Sequence, residues 1–326
     1  MTKKIVFFFF LLTGLPLPGL AQETKPEPKG QAILQIFTNF HTGFGKINDQ
    51  RGFDLDRSYL GYQYKLTEGL TAKAVLDIGK SNSVNDYHRI AYIKNAQLTW
   101  QTGKWCLQGG LICATQFHMQ EKFWGYRYIM KSFQDEYKFG HSADLGVSAA
   151  YQFSDWFSAD AIITNGEGYK KIQVKDGLHY GVGTTFTPLK GWSVRLYAGL
   201  NEAAEKEQKD IWNYAVFTGF KNEHFSIGTE FNYMQNDAFT SDADRFGLSV
   251  YGAVKIGTIT ELYGRYDNLF SRNDWNIEKD EQNFMAGAQF KLGKYVKLSP
   301  NVRVALPKAD GSDAECSAYL NCYFGL

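Results

Sequence analysis

The stretch ADLGVSAAYQFSDWFSADAIITNG, residues 143–166, decides the fold. Its first half places apolar side chains at every second position, with polar or small side chains between them. An alternation with a period of two is the pattern of a β-strand that has one apolar and one polar face. The first strand ends at Ser154-Asp155 and a second begins directly afterwards. The stretch therefore predicts two antiparallel strands joined by a tight turn.

The same alternation recurs along nearly the whole chain, from Gln31 to Leu326. A tilted strand crosses a bilayer with about 9–11 residues, and the alternating segments have at least that length. Short turns such as Ser154-Asp155 alternate with longer loops, of which 118–142 is the longest. Outer-membrane barrels show this alternation of short periplasmic turns and longer outer loops. The sixteen predicted strands are 31–46, 55–66, 69–79, 88–101, 104–117, 143–153, 156–165, 177–187, 191–200, 210–221, 224–235, 244–256, 258–269, 282–292, 295–306 and 315–326.

A soluble β-sandwich also has alternating strands, but these are usually shorter, about 5–6 residues. The turn ends of the predicted strands here carry aromatic side chains, as expected for a belt at a membrane interface. The residues concerned are Trp100, Trp105, Phe153, Trp156, Phe186, Trp192, Phe220, Phe225, Phe290 and Tyr295. We therefore predict an all-β fold, a transmembrane antiparallel up-and-down β-barrel of sixteen strands, with short periplasmic turns and long outer loops.

The first residues have the pattern of an export signal. Lys3 and Lys4 precede the apolar run 5–12, and Gly19-Leu20-Ala21 offers small residues for cleavage. We predict a cleaved signal peptide at 1–21, a periplasmic segment at 22–30 and an outer-membrane barrel at 31–326. An exported barrel of this kind is located in the bacterial outer membrane.

Charge and motifs exclude several other functions. Removal of Lys3 and Lys4 moves the formal net charge from +1 to −1, so nothing suggests a nucleic-acid partner. The six histidines are scattered and lie in no catalytic or zinc motif, so we expect no enzyme activity, no cofactor and no metal. The four cysteines are expected to be free thiols, since Cys106 and Cys113 would lie about 23 Å apart on one strand.

The longest loop, 118–142, is unusually aromatic for a solvated loop. We expect it to pack against the inner wall and to narrow the bore, although it could instead cap the outer mouth or contact a partner subunit. Its basic residues would then face permeating solute. The candidate constriction residues are Lys122, Trp124, Tyr126, Arg127, Tyr128, Lys131, Asp135 and Lys138.

The polar strand faces predict the wall of the pore. Basic residues are in excess there, and rings of Arg and Lys favour anions, so a weak anion preference is expected. The candidate pore-lining residues are Arg57, Lys73, Asp77, Asp160, Arg195, Glu230, Glu261, Arg265, Asp267 and Arg303.

One predicted strand fits this pattern poorly. In 88–101 the apolar face that includes Ile90, Tyr92 and Trp100 also includes Lys94. A lysine facing lipid at the midplane costs about 2–4 kcal/mol. Either a bulge shifts the register of this strand, or Lys94 lies in a subunit interface.

Several short segments resemble the phosphate-selective porin O and P family, in the form found in Bacteroidetes. They are Gly125-Tyr126-Arg127-Tyr128-Ile129, Ser132-Phe133-Gln134-Asp135, Glu261-Leu262-Tyr263-Gly264-Arg265-Tyr266-Asp267 and Ser299-Pro300-Asn301-Val302-Arg303. The resemblance implies sixteen strands, an inward third loop, a homotrimer and passage of small anions such as phosphate. This sequence lacks the family's dense ladder of Arg and Lys. The absence of that ladder favours a general porin.

The expected function is therefore passive diffusion of small hydrophilic solutes through an outer-membrane porin, with at most a weak, phosphate-like anion preference. The alternative is an adhesin or receptor barrel with a closed pore. The expected partners are outer-membrane lipid, small hydrophilic or anionic solutes and the barrel assembly machinery. The chain ends Phe324-Gly325-Leu326 rather than in a terminal Phe, but Phe324 and Leu326 still lie on the predicted lipid face.

Overall fold

The structure is a computed structural model, and it describes residues 29–44, 51–81, 88–174 and 176–326. The predicted signal peptide, 1–21, lies outside the described residues, as does 22–28 of the predicted periplasmic segment.

Sixteen strands form one closed antiparallel barrel, which confirms the predicted fold. Consecutive strands are neighbours throughout, and the first strand pairs with the last. The strands are β1 Gly30–Phe44, β2 Arg51–Lys65, β3 Leu70–Lys80, β4 Arg89–Thr102, β5 Trp105–Cys113, β6 Ala143–Ser154, β7 Phe157–Thr164, β8 His179–Phe186, β9 Trp192–Asn201, β10 Ile211–Lys221, β11 Phe225–Gln235, β12 Arg245–Ile256, β13 Thr260–Ser271, β14 Glu281–Leu292, β15 Val296–Pro307 and β16 Glu315–Gly325. Closure leaves no strand edge with unpaired backbone groups, which is what a sheet in lipid requires.

Helical segments are short and lie in the loops. The loop between β5 and β6 contains α1, His118–Trp124, and α2, Phe133–Glu136. Single 3₁₀ turns occur at Asp237–Phe239, Arg272–Asp274 and Ile277–Lys279. Among the described residues, no helix is both long enough and apolar enough to cross a membrane.

Two strand boundaries differ from the prediction by four residues. β2 begins at Arg51 rather than at 55, and β5 ends at Cys113 rather than at 117. At β5 the alternation misleads because Phe117 does not lie on the outer wall. It is buried in the interior, where the chain has already left the barrel wall and starts α1.

A β-bulge explains the position of Lys94. Val75 pairs with Asn95 and Leu76 pairs with Ile93, so Lys94 is left without a partner in the ladder. The extra residue reverses the facing of the strand beyond it. Lys94 consequently points into the barrel, where its ammonium donates to the Tyr59 hydroxyl at 3.0 Å.

The bulge alternative is thus confirmed, and the predicted lipid-facing position of Tyr92 is wrong. Its ring packs edge-on against Tyr169 of the β7–β8 loop, with centroids 6.4 Å apart.

The outer face of the barrel is apolar and carries aromatic residues near the short turns. Val147 and Val182 are 56% and 59% exposed. At the turn ends of β7 and β8, the rings of Phe157 and Phe186 stack with centroids 4.9 Å apart. An apolar band bordered by aromatic rings is the surface that an outer-membrane barrel presents to lipid.

All four cysteines are free, as the strand geometry predicted. Cys106 lies on β5 and Cys322 on β16, and these strands are not neighbours in the barrel.

Candidate functional site

The β5–β6 loop, residues 114–142, lies inside the barrel against the wall formed by the C-terminal strands. Trp124 is only 3% exposed. Its ring packs edge-on against Tyr251 of β12, with centroids 5.2 Å apart, and against Tyr263 of β13, at 6.2 Å. The Arg265 guanidinium lies over the same ring at 5.2 Å. A tryptophan at the end of α1 is therefore held on three sides by inward side chains of the wall.

Two tyrosines of the loop reach the wall through their hydroxyls. Tyr126 donates to Glu261 Oε2 at 3.0 Å, and Tyr128 donates to Gln289 Oε1 at 3.0 Å. The Tyr126 ring also stacks on Tyr263, with centroids 4.8 Å apart. Buried tyrosines are stable in such positions because the ring is packed and the hydroxyl has a partner.

Arginines of the wall hold the backbone of the loop. An arginine bonded to a neutral carbonyl keeps its charge but has fewer donors available for a passing solute. The contacts are Arg303 Nη2 to Ile129 O at 2.8 Å, Arg265 Nη1 to Lys131 O at 2.5 Å, Arg195 Nη2 to Thr115 O at 2.6 Å and Arg245 Nη1 to Tyr137 O at 3.0 Å.

The second half of the loop fills the barrel beside β10, β11 and β13. Phe133 and Phe139 are almost fully buried, and they cluster with Ile211, Met234 and Leu269. This side of the interior is therefore occupied by packed side chains.

An open space remains on the opposite side, between the loop and the wall of β1 to β4. It has a volume of about 270 Å³. Its charged and polar lining includes Tyr59, Lys73 and Lys94 from the wall and His118, Glu121 and Arg127 from the loop. We call this space the charged passage, because charged side chains from both the wall and the loop line it.

Arg127 is the charged centre of this region. It forms ion pairs with Glu121 and with Asp135, the latter at 2.6 Å. Burial alone would lower the pKa of Arg127, but Tyr59 and the carboxylates Asp135 and Glu121 raise it well above its usual value. For Asp135, burial alone would raise the pKa, but Arg127 and Lys131 lower it. Both groups of the pair are therefore charged at neutral pH.

The Tyr59 hydroxyl is surrounded by cations. Lys94 Nζ lies 3.0 Å away, Arg127 Nη2 3.2 Å and Arg57 Nη1 3.4 Å. Arg57 is balanced by Asp77, at 2.9 Å. Three cations around the passage thus share contacts with one phenol hydroxyl.

Lys73 and His118 complete the lining. Among the described residues, Lys73 has no hydrogen bond or ion pair. The His118 side chain is exposed to the interior, yet desolvation inside the barrel lowers its pKa to about 4, and the cations Lys122 and Lys73 act in the same direction. His118 is therefore neutral at pH 7, so the positive charge here comes from lysines and arginines.

The predicted loop residues divide into two groups. Trp124, Tyr126 and Tyr128 pack on the wall, and Arg127 pairs with Asp135. Of the remaining basic residues, Lys131 lies 3.5 Å from Glu136, whereas Lys122 and Lys138 are exposed. Arg127 and Lys131, expected to face solute, are thus largely engaged within the loop.

The ten predicted wall residues all point inward, but the structure does not bring them together. Arg57, Lys73 and Asp77 lie near the open passage. The others lie against the loop or beside residues that hold it, and they are Asp160, Arg195, Glu230, Glu261, Arg265, Asp267 and Arg303. Glu230, for example, is 1% exposed and accepts from Gln134 Nε2 at 3.4 Å.

Tyr59, Glu121 and Arg245 also contribute to the barrel interior, although the sequence pattern did not predict them. Tyr59 alternates with Arg57 along β2, which was an available signal, since residues two apart share a face. Glu121 and Arg245 act through contacts that no local pattern predicts.

Known structures identify the fold of this chain, but no known family matches its sequence. No family model and no curated protein match the sequence. The structure is similar to an anion-selective porin from Comamonas acidovorans, with a TM-score of 0.68 and 12% identity over 92% of this chain and 100% of that one. It is also similar to OmpF of Salmonella typhi, with a TM-score of 0.68 and 10% identity over 91% of this chain and 97% of that one. For OmpT of Vibrio cholerae, the TM-score is 0.66 and the identity 14%, over 93% of this chain and 99% of that one.

The chain has the fold of these barrels. At identities this low, the likeness concerns the fold alone.

Proposed function

We propose that the protein is a porin that allows small hydrophilic solutes to diffuse passively across the outer membrane. The observation that carries this proposal is the cavity of about 270 Å³ between the β5–β6 loop and the wall of β1 to β4. It lies inside a closed barrel with an apolar outer face, and charged side chains line it. The loop acts as the constriction and sets the size limit.

A weak preference for anions follows from the charges around the passage. Arg57, Lys73, Lys94 and Arg127 outnumber the carboxylates beside them, and rings of basic residues favour anions. One barrel of similar structure is described as an anion-selective porin. Because the bases are paired or spread out rather than arranged in a ladder, the preference covers small anions in general, without phosphate specificity.

The location and assembly follow from the same proposal. The chain is exported with residues 1–21 removed, inserted by the barrel assembly machinery and surrounded by outer-membrane lipid. It functions as a homotrimer, and a trimer form has been described for a barrel of similar structure.

Electrical recording tests the proposal directly. The purified mature protein should give stepwise, ohmic conductance in planar bilayers. In a salt gradient, the reversal potential should have the sign of an anion-preferring channel. A barrel that inserts without conducting would refute the porin function.

Dense packing inside the barrel favours a second candidate, an adhesin or receptor barrel with a closed pore. Phe133, Gln134 and Phe217 are fully buried in the interior. Liposome swelling separates the two candidates, because a closed barrel admits no solute while its loops still bind a partner.

A further inference from the structure

A second cavity, of about 540 Å³, lies apart from the charged passage. It is enclosed by the outer ends of β6 to β11, by the outer loops that follow β7, β9 and β11, and by the two ends of the β5–β6 loop. The two cavities share one lining residue, Ala114. Its volume falls in the range of about 300–1,000 Å³ typical of small-molecule sites.

The inner surface of this cavity is apolar. Phe139, Ile162, Tyr197, Ile211 and Met234 line it, and all five are buried in the protein. Ring and aliphatic surfaces of this kind pack against the apolar face of a ligand and exclude water from it.

The acidic groups around the cavity are mostly engaged. Asp144 accepts hydrogen bonds from the backbone N–H of Leu145 at 2.8 Å and of Gly166 at 2.6 Å. Asp237 Oδ2 lies 2.8 Å from Arg245 Nε. These carboxylates are therefore satisfied within the protein and do not require a cationic ligand.

Uncharged polar groups also line the cavity, beside two lysines and several carboxylates. His179 bonds to Asn201 through Nδ1 and lies 2.9 Å from the Tyr197 hydroxyl through Nε2. His141 also lines the cavity, and burial lowers its pKa, which keeps the imidazole neutral at pH 7. Neutral imidazoles and amides both donate and accept hydrogen bonds.

Three oxygen atoms of lining residues have no hydrogen-bond partner among the described residues, and one of them is Thr115 Oγ1. The carboxamide oxygen of Asn213 is buried without a hydrogen bond, in a residue only 5% exposed. Glu167 Oε2 is also without a partner. A buried polar atom left unpaired is costly, so these atoms are suited to receive donors from a bound molecule.

We propose that this cavity is a binding site for a neutral, polyhydroxylated solute about the size of a disaccharide. The C–H face of a sugar ring packs on Tyr197 and Phe139, and its hydroxyls donate to Asn213 and Glu167. Bound there, the solute is held on the outer side of the loop before it reaches the charged passage. The site does not depend on conduction.

Calorimetric titration of the full-length mature protein tests this site, in a detergent without a sugar head group. The probes are maltose, sucrose and trehalose, with spermidine as a cationic comparator. At least one disaccharide should bind saturably. Ala204→Trp, which fills the cavity from an exposed loop position, should weaken binding at least about tenfold. Its matched control, Ala314→Trp, lies in an exposed outer loop away from the cavity and should leave binding unchanged.

Asn213→Leu should likewise weaken binding about tenfold, because the sugar hydroxyl then loses its acceptor. Resistance of each variant to SDS without heating reports whether its barrel is folded. The proposal is overturned if none of the disaccharides binds saturably, if spermidine binds instead, or if Ala204→Trp and Ala314→Trp bind equally. Because binding is measured without a membrane potential, its failure is distinguishable from failure of the porin function.

Discussion

Replacement of Lys73 by glutamine should weaken the anion preference of the channel. A sphere of 270 Å³ has a radius of about 4 Å, so a charge on the wall of such a cavity is about 6 Å from an ion at its centre once atomic radii are added. At that distance in water, one unit charge changes the energy of an ion by about 0.7 kcal/mol. The change has opposite signs for anions and cations, so the energy difference between them shifts by about 1.4 kcal/mol. This corresponds to about a tenfold change in the anion-to-cation permeability ratio. Screening at about 0.1 M salt reduces this to about threefold or fourfold.

Lys73 is well suited to this test, since it has no hydrogen bond or ion pair with the described residues and its loss should not disturb the fold. The assay is the reversal potential in a salt gradient, from which the anion-to-cation permeability ratio is obtained. Lys190→Gln makes the same charge change in an exposed turn outside the bore and is the matched control. If Lys73→Gln and Lys190→Gln both leave the permeability ratio unchanged, ions do not pass beside Lys73 and the proposed position of the passage is wrong.

Three further predictions concern the loop. Deleting 120–138 should raise single-channel conductance, and an unchanged value would show that the loop does not constrict the pore. Trp124→Ala should destabilise the packed loop by about 3–5 kcal/mol, because a buried ring is lost, and limited proteolysis should then cleave the loop faster than in the parent protein. The pKa of His118 is lowered to about 4 in the folded protein, so the unfolded chain binds this proton more readily than the folded chain does. His118 therefore reduces the free energy of unfolding as the pH falls from about 6.5 towards 4. His118→Gln should flatten that part of the pH profile of unfolding in detergent, and a profile identical to the parent's would contradict the assignment.

The strands could be predicted from the sequence because a barrel wall imposes a period of two on every strand. One exception lies in β4, where the bulge at Lys94 reverses the facing of Tyr92. The position of a bulge depends on how the strand pairs with its neighbour. The sequence of one strand alone does not give that pairing. The anomalous lysine was nevertheless a usable signal, since it marked the place where the simple register fails.

The candidate site was less predictable, because its contacts join distant parts of the chain. The aromatic content of 118–142 pointed to packing, and Trp124, Tyr126 and Tyr128 do pack on the wall. The sequence could not tell that Arg265 and Arg303 would bond to loop carbonyls rather than face the bore. Those partners are more than a hundred residues away along the chain, and only the closed barrel brings them together.

The arginine contacts to the loop have an evolutionary consequence. A backbone carbonyl is present whatever residue occupies the position, so Arg265 and Arg303 grip Lys131 and Ile129 without depending on the identity of either side chain. Charged donors on neutral acceptors contribute about 1.5–3 kcal/mol each. Substitutions at positions 129 and 131 can therefore accumulate while these two contacts to the backbone of the loop are retained.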